Sequence, residues 1–232
     1  YSEHLILATP DNGAAIALYA ACKATLKVAD GQEITLHEQT NYPFEEKISF
    51  TVNTTEDVRF PFYLRIPSWC DQPELAINGK QKEIDPIPGK YIYIDRTWTD
   101  GDKVELNLPM KLSIRTWQVN KNSVSVNYGP LTLSLKINEE YIQKDSRSTA
   151  IYDSRWQEGA DATQWPSYEI FPKSPWNYAL VLDSKVPLKN FKVIRKEWPS
   201  DNFPFTVSNV PLEVKAIGKQ IPSWTLDKYG LC

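Results

Sequence analysis

The sequence predicts an all-β protein of two antiparallel β-sandwich modules packed in tandem. Its central stretch, residues 60–110, opens with apolar side chains at every second position: Phe60, Phe62, Leu64 and Ile66. This period of two is typical of a strand with one face in a core. Two turn dipeptides follow, Asn78-Gly79 and Asp100-Gly101. Eight Trp and seventeen Pro against one Met favour a loop-rich sandwich over a helical bundle.

The first module is predicted as a regular meander over residues 1–112. Its strands are predicted at residues 5–9, 24–28, 33–40, 47–53, 60–66, 91–95 and 103–110. Residues 14–21 are apolar enough for a helix, but the turn Asp11-Asn12-Gly13 before them favours a hairpin. Trp69 and Trp98 follow strands, so we expect them to cover the core or its edge.

The second module is predicted over residues 113–232, with longer and looser connections. Its strands are predicted at residues 123–128, 131–137, 178–182, 191–196 and 212–217. A polar, irregular break is predicted over residues 138–168, with a helical turn at residues 139–142. Three prolines keep the last part from being central sheet: Pro204, Pro211 and Pro222.

Net charge and hydropathy limit the classes of partner that the sequence predicts. The net charge of −3 argues against nucleic acid, since phosphate binding needs a basic surface. No apolar run approaches the ~20 residues that span a bilayer, so no membrane partner is predicted. The chain opens without Met and without a signal-peptide pattern, and we expect it to be a processed chain or part of a longer one.

The cysteines and histidines of the sequence predict neither a metal site nor a cofactor. The three cysteines, Cys22, Cys70 and Cys232, are far apart in sequence. Cys22 and Cys70 are either small buried apolar residues or a disulfide pair. His37 lies opposite the apolar face of its predicted strand, so we expect it in solvent, and with His4 it makes no convincing metal site.

No catalytic residue is assigned. The sequence lacks a nucleophile elbow, a phosphate loop and a dinucleotide fingerprint. A glycosidase needs two carboxylates across the scissile bond, and 29 acidic residues offer no way to choose them. Glu38 near Asn41, and Asp95 near Arg96, are nominal candidates, although a solvated strand face or turn is the expected setting for both.

Tryptophans in or beside the irregular segment are the candidate binding residues. Flat aromatic faces stack on sugar rings, and Trp156, Trp165 and Trp176 could supply such faces. The alternative is that they pack between loops and sheet.

A series of short motifs resembles one known family. The motifs run in order from Ala8-Thr9-Pro10-Asp11-Asn12-Gly13 and Glu38-Gln39-Thr40-Asn41-Tyr42-Pro43-Phe44 through Leu64-Arg65-Ile66-Pro67-Ser68-Trp69, Arg96-Thr97-Trp98-Thr99-Asp100-Gly101-Asp102 and Tyr128-Gly129-Pro130-Leu131 to Ser174-Pro175-Trp176-Asn177-Tyr178-Ala179-Leu180. Together they resemble the region after the catalytic barrel in the β-L-arabinofuranosidase family, glycoside hydrolase family 127 and its relatives. The resemblance implies an upstream α/α barrel with a cysteine nucleophile, a zinc ion and a glutamate acid/base. None of those residues maps onto this sequence.

The resemblance therefore implies a non-catalytic C-terminal β-sandwich portion of a bacterial glycoside hydrolase. Such a portion would support the upstream α/α barrel of the same polypeptide and mediate homodimer contacts. The alternative is a carbohydrate-binding module for plant-type arabinose-containing glycans. A third reading is an enzyme in its own right with an unidentified carboxylate pair. Enzymes of this kind are often exported, which suggests a periplasmic or secreted location.

Overall fold

The computed structural model describes residues 2–150 and 155–226, and nearly all of their regular structure is β. The chain forms two compact units, residues 1–133 and 134–232. The predicted all-β fold class is therefore confirmed. The module boundary near residue 112 stays a prediction, because backbone compactness alone does not define a sequence module. No helix among the described residues is long and apolar enough to cross a membrane.

In the first unit a 3-10 turn, Ser2–His4, precedes the strands. The strands are β1 (Ile6–Ala8), β2 (Ala14–Ile16), β3 (Cys22–Val28), β4 (Gln32–Thr40), β5 (Lys47–Thr54), β6 (Val58–Arg65), β7 (Glu74–Ile77), β8 (Lys80–Lys82), β9 (Tyr91–Trp98), β10 (Lys103–Asn107), β11 (Leu112–Trp117), β12 (Ser123–Tyr128) and β13 (Leu131–Leu133). They form a four-stranded sheet, β1-β2-β6-β9, a six-stranded sheet, β3-β4-β5-β10-β7-β8, and a three-stranded sheet, β11-β12-β13.

The four-stranded and six-stranded sheets share one core, as in a β-sandwich. Phe62 of β6 meets Phe50 of β5 edge to face, with ring centroids 5.5 Å apart, which is a favoured aromatic geometry. Trp98 packs against the same Phe62 and against Phe60, and its indole N–H donates to the Phe60 carbonyl over 3.0 Å. All inward positions predicted for residues 60–66 are buried. The predicted period-two strand and the covering role of Trp98 are confirmed.

The prediction of a regular meander is wrong. Strand β2 pairs in parallel with β6, with Ala15 opposite Tyr63. Strand β10 inserts between β5 and β7, so consecutive strands are not neighbours there. Turn residues indicate only hairpins between consecutive strands. These pairings join distant parts of the chain, so no local sequence pattern specifies them.

The predicted two-residue turn is confirmed at Asn78-Gly79 in the β7–β8 hairpin, whereas the Asp100-Gly101 turn has a different backbone conformation. Asn78 and Gly79 both have positive φ, 49° and 72°, as a tight two-residue hairpin requires. In the turn before β10, Gly101 has a φ of 81° while Asp100 stays outside the left-handed region. The Asp102 N–H closes that turn on the Thr99 carbonyl over 3.1 Å. The two turns are therefore of different types.

The second unit consists of antiparallel strand pairs. Its elements are β14 (Glu139–Lys144), α1 (Ser146–Thr149), β15 (Ser167–Pro172), β16 (Tyr178–Leu180), β17 (Lys192–Arg195), β18 (Leu212–Lys215) and β19 (Gly218–Gln220). The pairs are β14 with β15, β16 with β19, and β17 with β18. The strands predicted near residues 178, 191 and 212 are confirmed in shortened form.

The helical turn predicted at residues 139–142 is wrong, because this segment is the first part of β14. Tyr141 lies opposite Ile170 of β15, and Lys144 pairs with Glu169 over 3.0 Å. The short helix begins later, where the Asp145 carboxylate accepts hydrogen bonds from the first backbone N–H groups of α1. The strand partner comes from the far side of the irregular segment, and local composition does not reveal it.

Candidate functional site

The three predicted sugar-binding tryptophans lie in the second unit in different settings. Trp165 is 69% exposed and sits just before β15, whereas Trp156 and Trp176 are half-buried. The Trp165 carbonyl accepts a hydrogen bond from the Ser146 hydroxyl, which ties its backbone to α1. Among the described ring contacts, none joins two of these tryptophans. Their sugar-binding role stays a prediction.

The two nominal carboxylate candidates lie in different settings, and the expectation of a solvated strand face is confirmed for Asp95, which is exposed on β9. Asp95 accepts two hydrogen bonds from the Arg59 guanidinium across the strand pair, over 3.0 and 3.2 Å. Its neighbour in sequence, Arg96, instead pairs with Asp102 over 3.2 Å. The expectation that Glu38 is solvated is wrong, because Glu38 is 0% exposed.

Burial of Glu38 follows from the register of β4. Ile34, Leu36 and Glu38 occupy alternate positions and all point into the core. His37 falls on the opposite face and is exposed, as predicted. The same alternation that puts His37 in solvent puts Glu38 on the buried face. We expected Glu38 in solvent because carboxylates are rarely buried.

Glu38 is held by two donors from the segment before and within β3. The Ala20 N–H donates to Oε1 over 3.0 Å, and the Cys22 thiol donates to Oε2 over 3.8 Å. Burial raises the pKa of Glu38 to about 8, and the two hydrogen bonds only partly oppose that rise. Burial and the neighbouring Glu38 raise the pKa of Cys22 to about 11. A thiol with a raised pKa is mostly protonated at neutral pH and is therefore a poor nucleophile.

The cysteines are not bonded to one another. Cys22 and Cys70 are both free thiols, so the alternative of a disulfide between them is wrong for this structure. Cys70 is fully buried against the sandwich core, and burial raises the pKa of its thiol. Within residues 2–150 and 155–226, no cluster of three or more His, Cys, Asp or Glu side chains could hold a metal ion.

The outer face of the four-stranded sheet carries three tyrosines, which we call the tyrosine face: Tyr63, Tyr91 and Tyr93. In β9 the side chains of Tyr91 and Tyr93 point outward, on either side of the inward Ile92, and are 47% and 57% exposed. Tyr63 of β6 lies directly opposite Tyr93, with ring centroids 5.1 Å apart. This face presents aromatic surface to solvent at the edge of the sandwich.

A shallow depression of about 330 Å³ adjoins the tyrosine face. Its lining residues are Thr9, Pro10, Asp11, Ala15, Tyr63 and Tyr91. The Tyr63 hydroxyl donates to Asp11 Oδ2 over 2.5 Å, and the Thr9 hydroxyl donates to Asp11 Oδ1. The hydrogen bond to Asp11 raises the pKa of Tyr63 to about 12, and the two hydroxyls lower the pKa of Asp11. The carboxylate is therefore ionised at neutral pH.

The loop between β1 and β2 builds one wall of the depression. It is closed by the Gly13 N–H donating to the Thr9 hydroxyl over 2.9 Å and by the Thr9 N–H donating to the Gly13 carbonyl over 3.1 Å. Gly13 packs so tightly that an added Cβ would lie 2.3 Å from the Pro61 carbonyl oxygen. The close approach of Gly13 to β6 places Asp11 beside Tyr63. Sequence reasoning recognised the turn here but missed the depression, because the tyrosines come from two other strands.

The comparisons with known proteins cover part of the chain. Residues 13–110 match the family described as the beta-L-arabinofuranosidase, GH127 middle domain. This segment contains β2 to β10, and hence most of both sheets of the sandwich. No curated protein matches the chain.

Two solved structures are similar to longer parts of the chain. One is a GH127 beta-L-arabinofuranosidase from Geobacillus stearothermophilus T6, with a TM-score of 0.52 and 22% identity over 73% of this chain and 31% of its own. The other is described as a glycoside hydrolase, with a TM-score of 0.51 and 27% identity over 65% of this chain and 24% of its own. The chain spans less than a third of either structure. The first likeness establishes the fold.

Proposed function

We propose that this chain, whose residues 13–110 match the GH127 middle domain family, is a non-catalytic β portion of a β-L-arabinofuranosidase-like glycoside hydrolase. Its role is to support a catalytic α/α barrel elsewhere in the same polypeptide. The family match is the observation that carries this proposal. Among the described residues the longest helix is α1, with four residues, so an α/α barrel is not part of them.

The sandwich offers a surface for such support. Strand β9 is eight residues long and lies at the edge of the four-stranded sheet. Long edge strands present unpaired backbone groups, and proteins commonly cover them with another element. We propose that the barrel, or a second copy of the chain in a homodimer, covers this edge.

An immunoblot of source cells with an antibody to this chain tests the proposal. A band well above 26.6 kDa is expected, because the barrel belongs to the same polypeptide. A band at 26.6 kDa would contradict it.

An activity assay gives an independent test. The purified chain is expected to release no 4-nitrophenol from an aryl β-L-arabinofuranoside above a heat-denatured control. Turnover above that control would mean that the chain is an enzyme in its own right.

The second candidate function is carbohydrate binding by the second unit. The observation that favours it is the 69% exposure of Trp165, which offers a flat aromatic face to solvent. Titration with plant arabinan is expected to change the Trp fluorescence, and Trp165→Ala is expected to abolish the change. Trp117→Ala is the matched control, since Trp117 is exposed but stacks on Arg115 at 3.7 Å. An unchanged signal at millimolar sugar rules this function out.

A further inference from the structure

We propose that the depression beside the tyrosine face is a binding site for a neutral sugar ring. It lies in the first unit, away in sequence from the predicted tryptophans. Three observations lead to it: exposed aromatic rings on one side, an ionised carboxylate in the wall, and a concave floor at Ala15. The volume of about 330 Å³ is at the lower end of small-molecule sites.

The Tyr63 ring of the site is held in place before a ligand arrives. The Tyr63 ring is held at one end by its hydrogen bond to Asp11 and on one side by the Tyr93 ring. Tyr91 projects from the same face two positions before Tyr93, because side chains alternate along a strand. Aromatic rings that are already ordered lose little entropy on binding, so stacking on a CH-rich ring face is favoured here.

The polar part of the site matches hydroxyl groups. A carboxylate has about four acceptor positions, and in Asp11 two of them are taken by Thr9 and Tyr63. The remaining positions can accept hydrogen bonds from sugar hydroxyls. Within the described part of the chain, no hydrogen bond engages the hydroxyls of Tyr91 or Tyr93. Both can donate to a ligand or accept from it.

The charge balance favours a neutral ligand. Asp11 would repel an anion from the depression, and Arg59 is occupied by the bidentate pair with Asp95. Arg65 lies directly opposite Tyr91 and is exposed, so its side chain projects from the same face of the sheet. The charge of Asp11 is therefore balanced by one guanidinium on that face. Mixed aromatic, acidic and guanidinium groups around a concave floor suit a polyhydroxylated ring.

Calorimetric titration with arabinan-derived oligosaccharides tests the site, and dextran oligosaccharides are the second probe. The choice of arabinan rests on the proposed function. Tyr91→Ala removes one stacking wall, and Ala15→Leu fills the floor. Each is expected to weaken binding about tenfold or more, which corresponds to about 1.4 kcal/mol. Trp117→Ala is the matched control, because Trp117 is an exposed aromatic residue that does not line the depression, and it is expected to bind as the unchanged chain does. Thermal melting of each variant establishes that it is folded.

Three results would overturn the proposal. One is the absence of heat with either glycan at millimolar concentration. Another is that Trp165→Ala loses binding while Tyr91→Ala binds as the unchanged chain does. This result would place the sugar on the second unit and would support the second candidate function. The third is a chain-to-chain association, seen by sedimentation, that Tyr91→Ala abolishes, because it would make the tyrosine face a protein interface. The immunoblot for a larger polypeptide is unaffected by any of these outcomes.

Discussion

The thiol of Cys22 donates a hydrogen bond to Oε2 of Glu38 across 3.8 Å, at a carboxyl group that is fully buried in the first unit. This contact, with the 3.0 Å hydrogen bond from the Ala20 N–H, fixes the start of β3 against β4. One backbone N–H and one weak thiol donor do not compensate for burying a full negative charge. Glu38 therefore retains its proton in the folded chain well above the pH at which an exposed glutamate loses it.

The stability of the chain is expected to fall as pH rises between about 4.5 and 8. In this window the unfolded chain releases the Glu38 proton while the folded chain keeps it, because the folded pKa is raised from 4.5 to about 8. The free energy of unfolding should decrease by about 1.4 kcal/mol per pH unit from this group. Below pH 4.5 both states hold the proton, and the effect is absent.

The variant Glu38→Gln isolates this contribution. Its amide keeps an oxygen for the Ala20 N–H and cannot ionise, so its urea midpoint should vary less with pH than that of the unchanged chain. Urea unfolding at pH 5.0, 6.5 and 8.0, followed by Trp fluorescence, measures the difference. Parallel pH profiles for the two proteins would show that Glu38 is ionised in the folded state.

Replacing Gly13 by alanine is expected to destabilise the first unit. The new Cβ would lie 2.3 Å from the carbonyl oxygen of Pro61 and 2.5 Å from its Cγ, and the backbone atom of a central strand cannot move away cheaply. Overpacking of this kind costs about 1–3 kcal/mol. Gly218→Ala is the control, since its nearest neighbour atom lies at 3.5 Å, and it should leave the urea midpoint nearly unchanged. Equal urea midpoints for the two variants would mean that the loop between β1 and β2 moves to accommodate the added methyl group at position 13.

Local sequence patterns predicted the strands of the first unit because burial there obeys a period of two. Phe60 and Phe62 are buried as expected, and the Asn78-Gly79 turn has the predicted backbone conformation. The same patterns could not predict that β2 would lie parallel to β6, because this contact depends on the whole chain. The depression arises from that contact, which brings Ala15 beside Tyr63. The alternation of Tyr91 and Tyr93 around Ile92 was a visible signal for the tyrosine face.

Two tryptophans are expected to differ sharply in their effect on stability. Trp98 is fully buried, and its indole N–H satisfies the Phe60 carbonyl. Trp98→Phe removes the indole hydrogen bond to that carbonyl and creates a small cavity, which should cost about 2 kcal/mol. Trp165→Phe, at an exposed position, should change the free energy of unfolding by less than about 0.5 kcal/mol. Comparable losses in thermal melts of the two variants would contradict the burial of Trp98.

The carboxylate of Asp102 is expected to act on stability with the opposite pH dependence to Glu38. Burial alone would raise its pKa, but hydrogen bonds from the Asn78 amide and the Thr99 N–H, with the Arg96 ion pair, outweigh burial and lower the pKa. The folded chain therefore releases this proton more readily than the unfolded chain. The resulting stability is present above the usual pKa of 3.8 and is lost as pH falls through the lower folded value.

The variant Asp102→Asn tests that role. One carboxylate oxygen accepts from Asn78 and the other from Thr99, so an amide nitrogen at either position would face a donor. The loss at pH 7 should be about 2–3 kcal/mol, as for a buried hydrogen bond to a charged group. It should shrink toward pH 3, where the unchanged chain also begins to lose the charge. Asp71→Asn is the control, because its ion pair with Lys111 at 3.6 Å is exposed and contributes less than about 1 kcal/mol. A loss for Asp102→Asn that stays constant from pH 7 to pH 3 would mean that the shape of the side chain, and not its charge, stabilises the turn.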